Sequence, residues 1–154
     1  MGFVEAVKSF YGRYFDFQTR SSRSEYWWYV LFAVIVSIVL MIPLFGSIVA
    51  AASNMDVNSD PLAIYSGFFS IVGLPFLLFS LINIIPCIAI AVRRLHDHNK
   101  SGWFYLLVIV LSAIPLIGLI VSIGWLVFMC MRGTVGENRF GPDPLGGGYG
   151  ETFS

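Results

Sequence analysis

Charge is scarce in this 154-residue chain, which carries nine Lys or Arg and nine Asp or Glu, 12% of the residues together. A soluble domain usually has about 25%. Because the two signs balance to a net charge of zero at pH 7, nothing suggests nucleic acid or an acidic substrate as a partner. Cysteine is almost missing as well. Cys87 and Cys130 both lie inside apolar runs, which excludes a disulfide framework and leaves them as small buried hydrophobes. Only two histidines are present, and His96 and His98 stand two positions apart. On a helix they diverge by about 200° and cannot share a metal ion, although an extended loop would let them. No metal and no cofactor are expected.

What is abundant is apolar surface, with 57% hydrophobic residues and 16% aromatics and a mean hydropathy of +0.80. It is gathered into three runs, from Tyr26 to about Ala52, from Leu62 to Val92 and from Trp103 to Met131, none of which contains Asp, Glu, Lys, Arg or His. Each exceeds the ~20 residues needed to cross ~30 Å of hydrocarbon at 1.5 Å per residue. A cleaved signal sequence does not explain the first run, because its apolar part is too long and Glu5, Asp16 and Glu25 precede it. The resulting expectation is an all-α membrane protein, a bundle of three transmembrane helices over about residues 26–50, 66–92 and 103–131. Residues 1–144 form one membrane domain, and the glycine-rich stretch 145–154 is expected to be disordered.

Before the first run, Phe3, Val7, Phe10, Tyr11 and Tyr14 recur at helical spacing, with Glu5, Lys8, Ser9, Gly12 and Arg13 on the opposite arc. This predicts an N-terminal amphipathic helix. The preferred placement lays its aromatic face in the membrane interface; the alternative packs it against the end of the bundle. Lys8, Arg13, Arg20 and Arg23 precede the first run and Arg93, Arg94 and Lys100 follow the second, whereas the segment from Ser53 to Pro61 has Asp56 and Asp60 and no cation. The positive-inside rule therefore puts the N-terminus and the second loop in the cytoplasm.

The third run has Pro115 and Gly118 at its middle. A single kinked span is preferred, with Arg132 and Arg139 outside. A re-entrant hairpin turning at Pro115 is the alternative; it would return both arginines to the cytoplasm, but its arms of about 12–15 residues are too short to cross.

Two polar clusters could carry function. In Arg93-Arg94-Leu95-His96-Asp97-His98-Asn99-Lys100, the arginines are expected to engage lipid phosphates or anchor topology. In Gly133 to Pro144, Glu137, Asn138 and Arg139 could bind a polar group or a partner, though the stretch lacks the Gly-Lys-Ser/Thr ending of a phosphate-binding loop. Candidate binding residues are Arg93, Arg94, His96, Asp97, Glu137, Asn138 and Arg139. No catalytic residue is expected. Asn83 is the one strongly polar side chain inside a run other than hydroxyls and is expected to bond another helix.

These motifs also carry a resemblance. Ser21-Ser22-Arg23-Ser24-Glu25-Tyr26-Trp27-Trp28, Arg93-Arg94-Leu95-His96-Asp97, Ser101-Gly102-Trp103 and Gly136-Glu137-Asn138-Arg139-Phe140-Gly141-Pro142-Asp143-Pro144, in this order across nearly the whole chain, closely resemble domain-of-unknown-function family 805. Val135 stands where that pattern has proline, and His98 where it has a small polar residue. The resemblance implies a small bacterial inner-membrane protein and supplies no activity, cofactor or substrate. The leading expectation is a non-enzymatic multi-pass protein whose cytoplasmic motifs bind a partner or lipid headgroups. Its expected partners are membrane lipids and a second copy or another membrane protein. One alternative is an oligomeric small transporter or channel. A lipid-modifying enzyme using His96, Asp97 and Glu137 is another, and it requires the second loop and the tail to share one membrane face.

Overall fold

A computed structural model describes residues 1–55, 60, 62 and 65–146. The expected tail 145–154 falls almost wholly outside the described residues, as does Asp56 of the first loop. Among the described residues the chain is helical: α1 (Phe3–Gly12), α2 (Arg23–Ser53), α3 (Ser66–Phe69), α4 (Leu74–Asp97), α5 (Trp103–Ser112) and α6 (Ile117–Cys130). No strand occurs among them, only an isolated bridge between Asn138 and Gly141. The chain divides into two compact units, Met1–Val30 with Ile85–Ser154, and Leu31–Ile84.

The first unit holds the polar motifs. Helix α1 begins with Glu5 in its first turn, where a carboxylate complements the helix dipole and accepts from the Gly2 N–H at 2.9 Å. Its buried side is Ala6 and Phe10. Phe10 stacks on Tyr29 with the rings 11° apart, and Phe3 meets Trp28 edge-on at 5.8 Å. Phe3 and Phe10 of the aromatic face thus meet the first turns of α2, Phe10 buried and Phe3 exposed. Stacked and edge-on pairs add to burial what an interfacial ring gains only from lipid.

Helix α4 runs past Val92 through Asp97, so Arg93 to Asp97 are its final turns and not a loop. Its end is a Schellman closure, with the Lys100 N–H donating to the Leu95 carbonyl at 2.9 Å and the Asn99 N–H to the His96 carbonyl at 2.9 Å. Asn99 takes the left-handed conformation at φ 56°, which asparagine tolerates better than most residues. Arg94 in the last turn suits the negative end of the dipole.

The preferred single kinked third span is corrected. The run is broken into α5 and α6, which pack on one another antiparallel, with Tyr105 and Trp125 5.4 Å apart. Pro115 lacks the N–H that would continue the ladder, and Leu116 reverses the chain at φ 67°. A Cβ on Gly118 would lie 2.3 Å from the Ser112 carbonyl oxygen, so glycine is required for the backbones to meet. At 10 and 14 residues the arms are about 15 and 21 Å long, short of the ~30 Å of a hydrocarbon core.

In the second unit, Phe32 of α2 meets Phe79 of α4 edge-on at 6.4 Å. Asn83 is buried, and its side-chain amide donates to the Phe79 carbonyl of its own helix at 2.7 Å. Most aliphatic residues of α2 face outward, Ile35, Ile38, Val39, Ile42 and Val49 among them.

Candidate functional site

Asp97, at the last turn of α4, is the hub of the polar end. Its Oδ1 accepts from Arg20 Nε at 3.1 Å and Nη2 at 2.9 Å, and its Oδ2 from Arg94 Nη1. Its backbone carbonyl accepts from the N–H and the hydroxyl of Thr134, both at 2.8 Å. Gly133 is the neighbour that makes this approach possible, since a Cβ there would lie 2.0 Å from Asp97 Oδ2.

The two guanidiniums on Asp97 each bind a different stretch of chain. Arg20 spends its remaining donors on the carbonyls of Gly136 at 2.7 Å, Gly141 at 3.1 Å and Thr134 at 2.6 Å, fastening the 133–141 segment to α4. Arg94 donates to the carbonyls of Met129, at 3.3 Å, and Met131, where α6 ends and its last carbonyls have no helical N–H donor. The arginine fork matches such paired acceptors, and the cost of burying the charge is offset only when nearly every donor is used.

Arg93 forms a second node. It donates from Nε to Ser21 Oγ at 2.8 Å and from Nη1 to the carbonyls of Arg13 and Asp16, each at 2.9 Å. Its Nη2 lies 3.9 Å from Glu25 Oε1, and that oxygen also accepts from Ser9 Oγ at 2.9 Å and from Arg13. The nodes therefore join α1, the start of α2, the end of α4, the end of α6 and the C-terminal segment.

Burial pushes the Arg93 and Arg94 guanidiniums below their ordinary pKa, with Glu25 and Asp97 respectively opposing it. Burial also lowers His96, against the backbone of Thr19 and Gln18, and lowers His98 with the nearby Arg94 acting in the same sense. Both shifts favour the neutral imidazole. His96 stacks on Phe140 with ring centres 3.8 Å apart, and His98 leans on Phe128 at 4.3 Å, so the two face different partners. Among the described residues no group of three His, Cys, Asp or Glu side chains is placed to hold a metal ion.

Of the sequence-nominated residues, six meet here. Asn138 Nδ2 donates to the His96 carbonyl at 2.9 Å and to Thr134 Oγ1 at 2.8 Å. Arg139 donates to the Asn99 carbonyl at 3.1 Å and lies 4.7 Å over the Phe140 ring. Glu137 is exposed and stands outside the cluster. The expectation that Arg93 and Arg94 meet lipid phosphates is corrected, for both side chains are 0% exposed and bonded within the protein. Arg20, Ser21, Glu25, Gly133 and Thr134 are essential to the arrangement, yet none was nominated. One signal was available: a carboxylate at position 25, beside an apolar run, needs a cation nearby.

The described residues define a helical protein that buries ion pairs around the end of α4 and exposes aliphatic side chains along its helices. The profile of a family described as "Protein of unknown function (DUF805)" matches residues 14–142, and the chain belongs to that family. It is 31% identical to "Inner membrane protein YhaH" of Escherichia coli K12, over 92% of this chain and 94% of the relative. To "Inner membrane protein YhaI" of the same strain it is 33% identical, over 85% of this chain and 87% of the relative. No solved structure matches.

Proposed function

We propose that this chain is a non-enzymatic, multi-pass protein of the bacterial inner membrane, with its N-terminus, α4–α5 loop and C-terminal segment together at the cytoplasmic face. There they form a rigid platform for a membrane partner or lipid headgroups. The observation that carries this reading is the Arg20–Asp97–Arg94 junction, which ties residues 133–141 and the end of α6 to the end of α4. The two E. coli relatives are named as inner-membrane proteins, and α2 and α4 are long and apolar enough to cross. The shorter α5 and α6 then enter and leave from one side as a re-entrant hairpin, which returns Arg132 and Arg139 to the side of Arg93 and satisfies the positive-inside rule.

Catalysis at His96, Asp97 and Glu137 is disfavoured by the same geometry. Both carboxylate oxygens of Asp97 are occupied by arginines, and Glu137 is not in the cluster. The test is a pair of topology reporters. A fluorescent protein fused after Ser154 is expected to fluoresce, and a periplasm-dependent phosphatase is expected to be active in the 53–61 segment and inactive after Ser154. Phosphatase activity after Ser154 would overturn the arrangement, and turnover abolished by His96→Ala would overturn the non-enzymatic reading.

A further inference from the structure

Of the two glycines on α6, only Gly118 is required by the chain around it. A Cβ on Gly124 would meet nothing within 4 Å, although glycine inside a helix costs backbone entropy and packs no side chain. Gly124 instead opens onto a groove of about 290 Å³ along the α5–α6 hairpin. The groove is lined from α5 by Phe104 and Val108, one turn apart, from α6 by Val121, Trp125 and Phe128, and from the end of α4 by Leu95. Lys100 is the one charged residue in this lining. Its backbone N–H donates to the Leu95 carbonyl at 2.9 Å, which sets the lysine where α4 stops, α5 starts and α6 finishes. The side chain is exposed, and none of the ion pairs among the described residues includes it. The nearest carboxylate in sequence, Asp97, is already taken by Arg20 and Arg94, which leaves the ammonium for an anion from outside.

We propose that this groove holds one acyl chain of an anionic phospholipid, laid over Gly124 between Val108 and Val121, with the lipid phosphate at Lys100. The proposal rests on the membrane reading above and names the lipid class that the platform takes. In that reading the hairpin arms stand in hydrocarbon and Lys100 lies at the depth of the headgroups, so a chain with a charged head reaches both ends of the groove. A lysine stem lies on apolar surface while its ammonium stays at the polar boundary. A zwitterionic lipid with the same chains fills the groove equally but brings its own cation to Lys100 and gains less there. Inorganic phosphate can meet Lys100 but leaves the apolar walls unfilled, which apolar surface resists.

Native mass spectrometry of the purified full-length protein separates these ligands. With phosphatidylglycerol and phosphatidylcholine of identical chains, one phosphatidylglycerol per protein is expected to be retained, about fivefold more tightly than phosphatidylcholine. Lys100→Gln should remove the preference and leave phosphatidylcholine unchanged. Gly124→Leu, whose side chain enters the groove without meeting a protein atom at its Cβ, should melt like the wild type and weaken both lipids about tenfold by displacing the chain. Gly124→Ala, a smaller plug, should act in the same direction. Unchanged lipid retention in both glycine variants would overturn the groove, and a preference that survives Lys100→Gln, or equal binding of the two lipids by the wild type, would overturn the anionic head. Displacement of the lipid by inorganic phosphate would show an anion site without a chain. A two-chain mass in the wild type that falls to one chain in Gly124→Leu would give the groove to a second copy and overturn the lipid. Loss of selective binding with a cytoplasmic C-terminus would refute the groove alone, whereas an external C-terminus with the selective lipid retained would refute the topology alone.

Discussion

The polar end and the middle of α2 invert the usual rule of protein interiors in opposite ways. At the polar end Arg20, Glu25, Arg93, Arg94 and Asp97 are buried, while along α2 Ile38, Val39 and Ile42 are exposed, Ile42 at 66%. In water the second pattern would be untenable, and in lipid it is neutral, because the hydrocarbon is as apolar as the side chains. The first pattern is costly in any solvent unless each charge is matched. Substitutions should therefore be tolerated where the surface is greasy and punished where the interior is charged. Asp97→Ala leaves Arg20 and Arg94 buried without their shared carboxylate, and should destabilise the protein by about 3–5 kcal/mol. Its expected signature is loss of folded, monodisperse protein in detergent. Ile38→Ala, by contrast, should stay within ~0.5 kcal/mol of the wild type. Comparable melting of the two variants would break the comparison.

A smaller effect is expected where the backbone does the work. Gly118 sits against the Ser112 carbonyl beside the turn of the α5–α6 hairpin, and Gly118→Ala must push the arms apart or shift the turn. Overpacking of this kind costs about 1–3 kcal/mol. Thermal melting in detergent measures it, and Gly124→Ala on the same helix, where a Cβ would meet nothing within 4 Å, is the control. If both glycines behave alike, the hairpin is not closed at this point.

How much of this was legible without coordinates differs along the same lines. Length and the lack of charge were enough to mark α2 and α4. The same length criterion misled at residues 103–131: arms of 10 and 14 residues are indeed too short to cross, but a pair of helices that pack on each other need not cross. Arg93 to Asp97 were assigned to a loop because charges end apolar runs, although Arg94 and Asp97 at i,i+3 and Asn99 at a left-handed cap are helix-end signals. The cluster itself was half legible. Residue types nominated Asp97 and Asn138, but Arg20 acts largely on the carbonyls of Thr134, Gly136 and Gly141, and a carbonyl acceptor has no sequence signature.

The mildest way to sharpen the comparison is pH, because only the polar end holds groups that titrate near neutrality. Burial holds the folded-state pKa of His96 and His98 below the ordinary imidazole value of 6.5, so the folded protein binds fewer protons than the unfolded chain between those values. Stability is then fully present above about pH 6.5 and declines as pH falls through the lowered folded values. Melting in detergent should drop between pH 7.5 and pH 5. His96→Phe keeps a ring to stack on Phe140 and removes one titrating group, so it should flatten the slope and leave the His98 contribution. The carboxylates work in a lower window, since the N–H of Leu145 holds Asp143 below the ordinary carboxylate range; its share is lost only as pH falls through that depressed value. A slope unchanged in His96→Phe would assign the pH response to His98 alone, and melting that does not change between pH 7.5 and pH 5 would mean that neither imidazole is held neutral by burial.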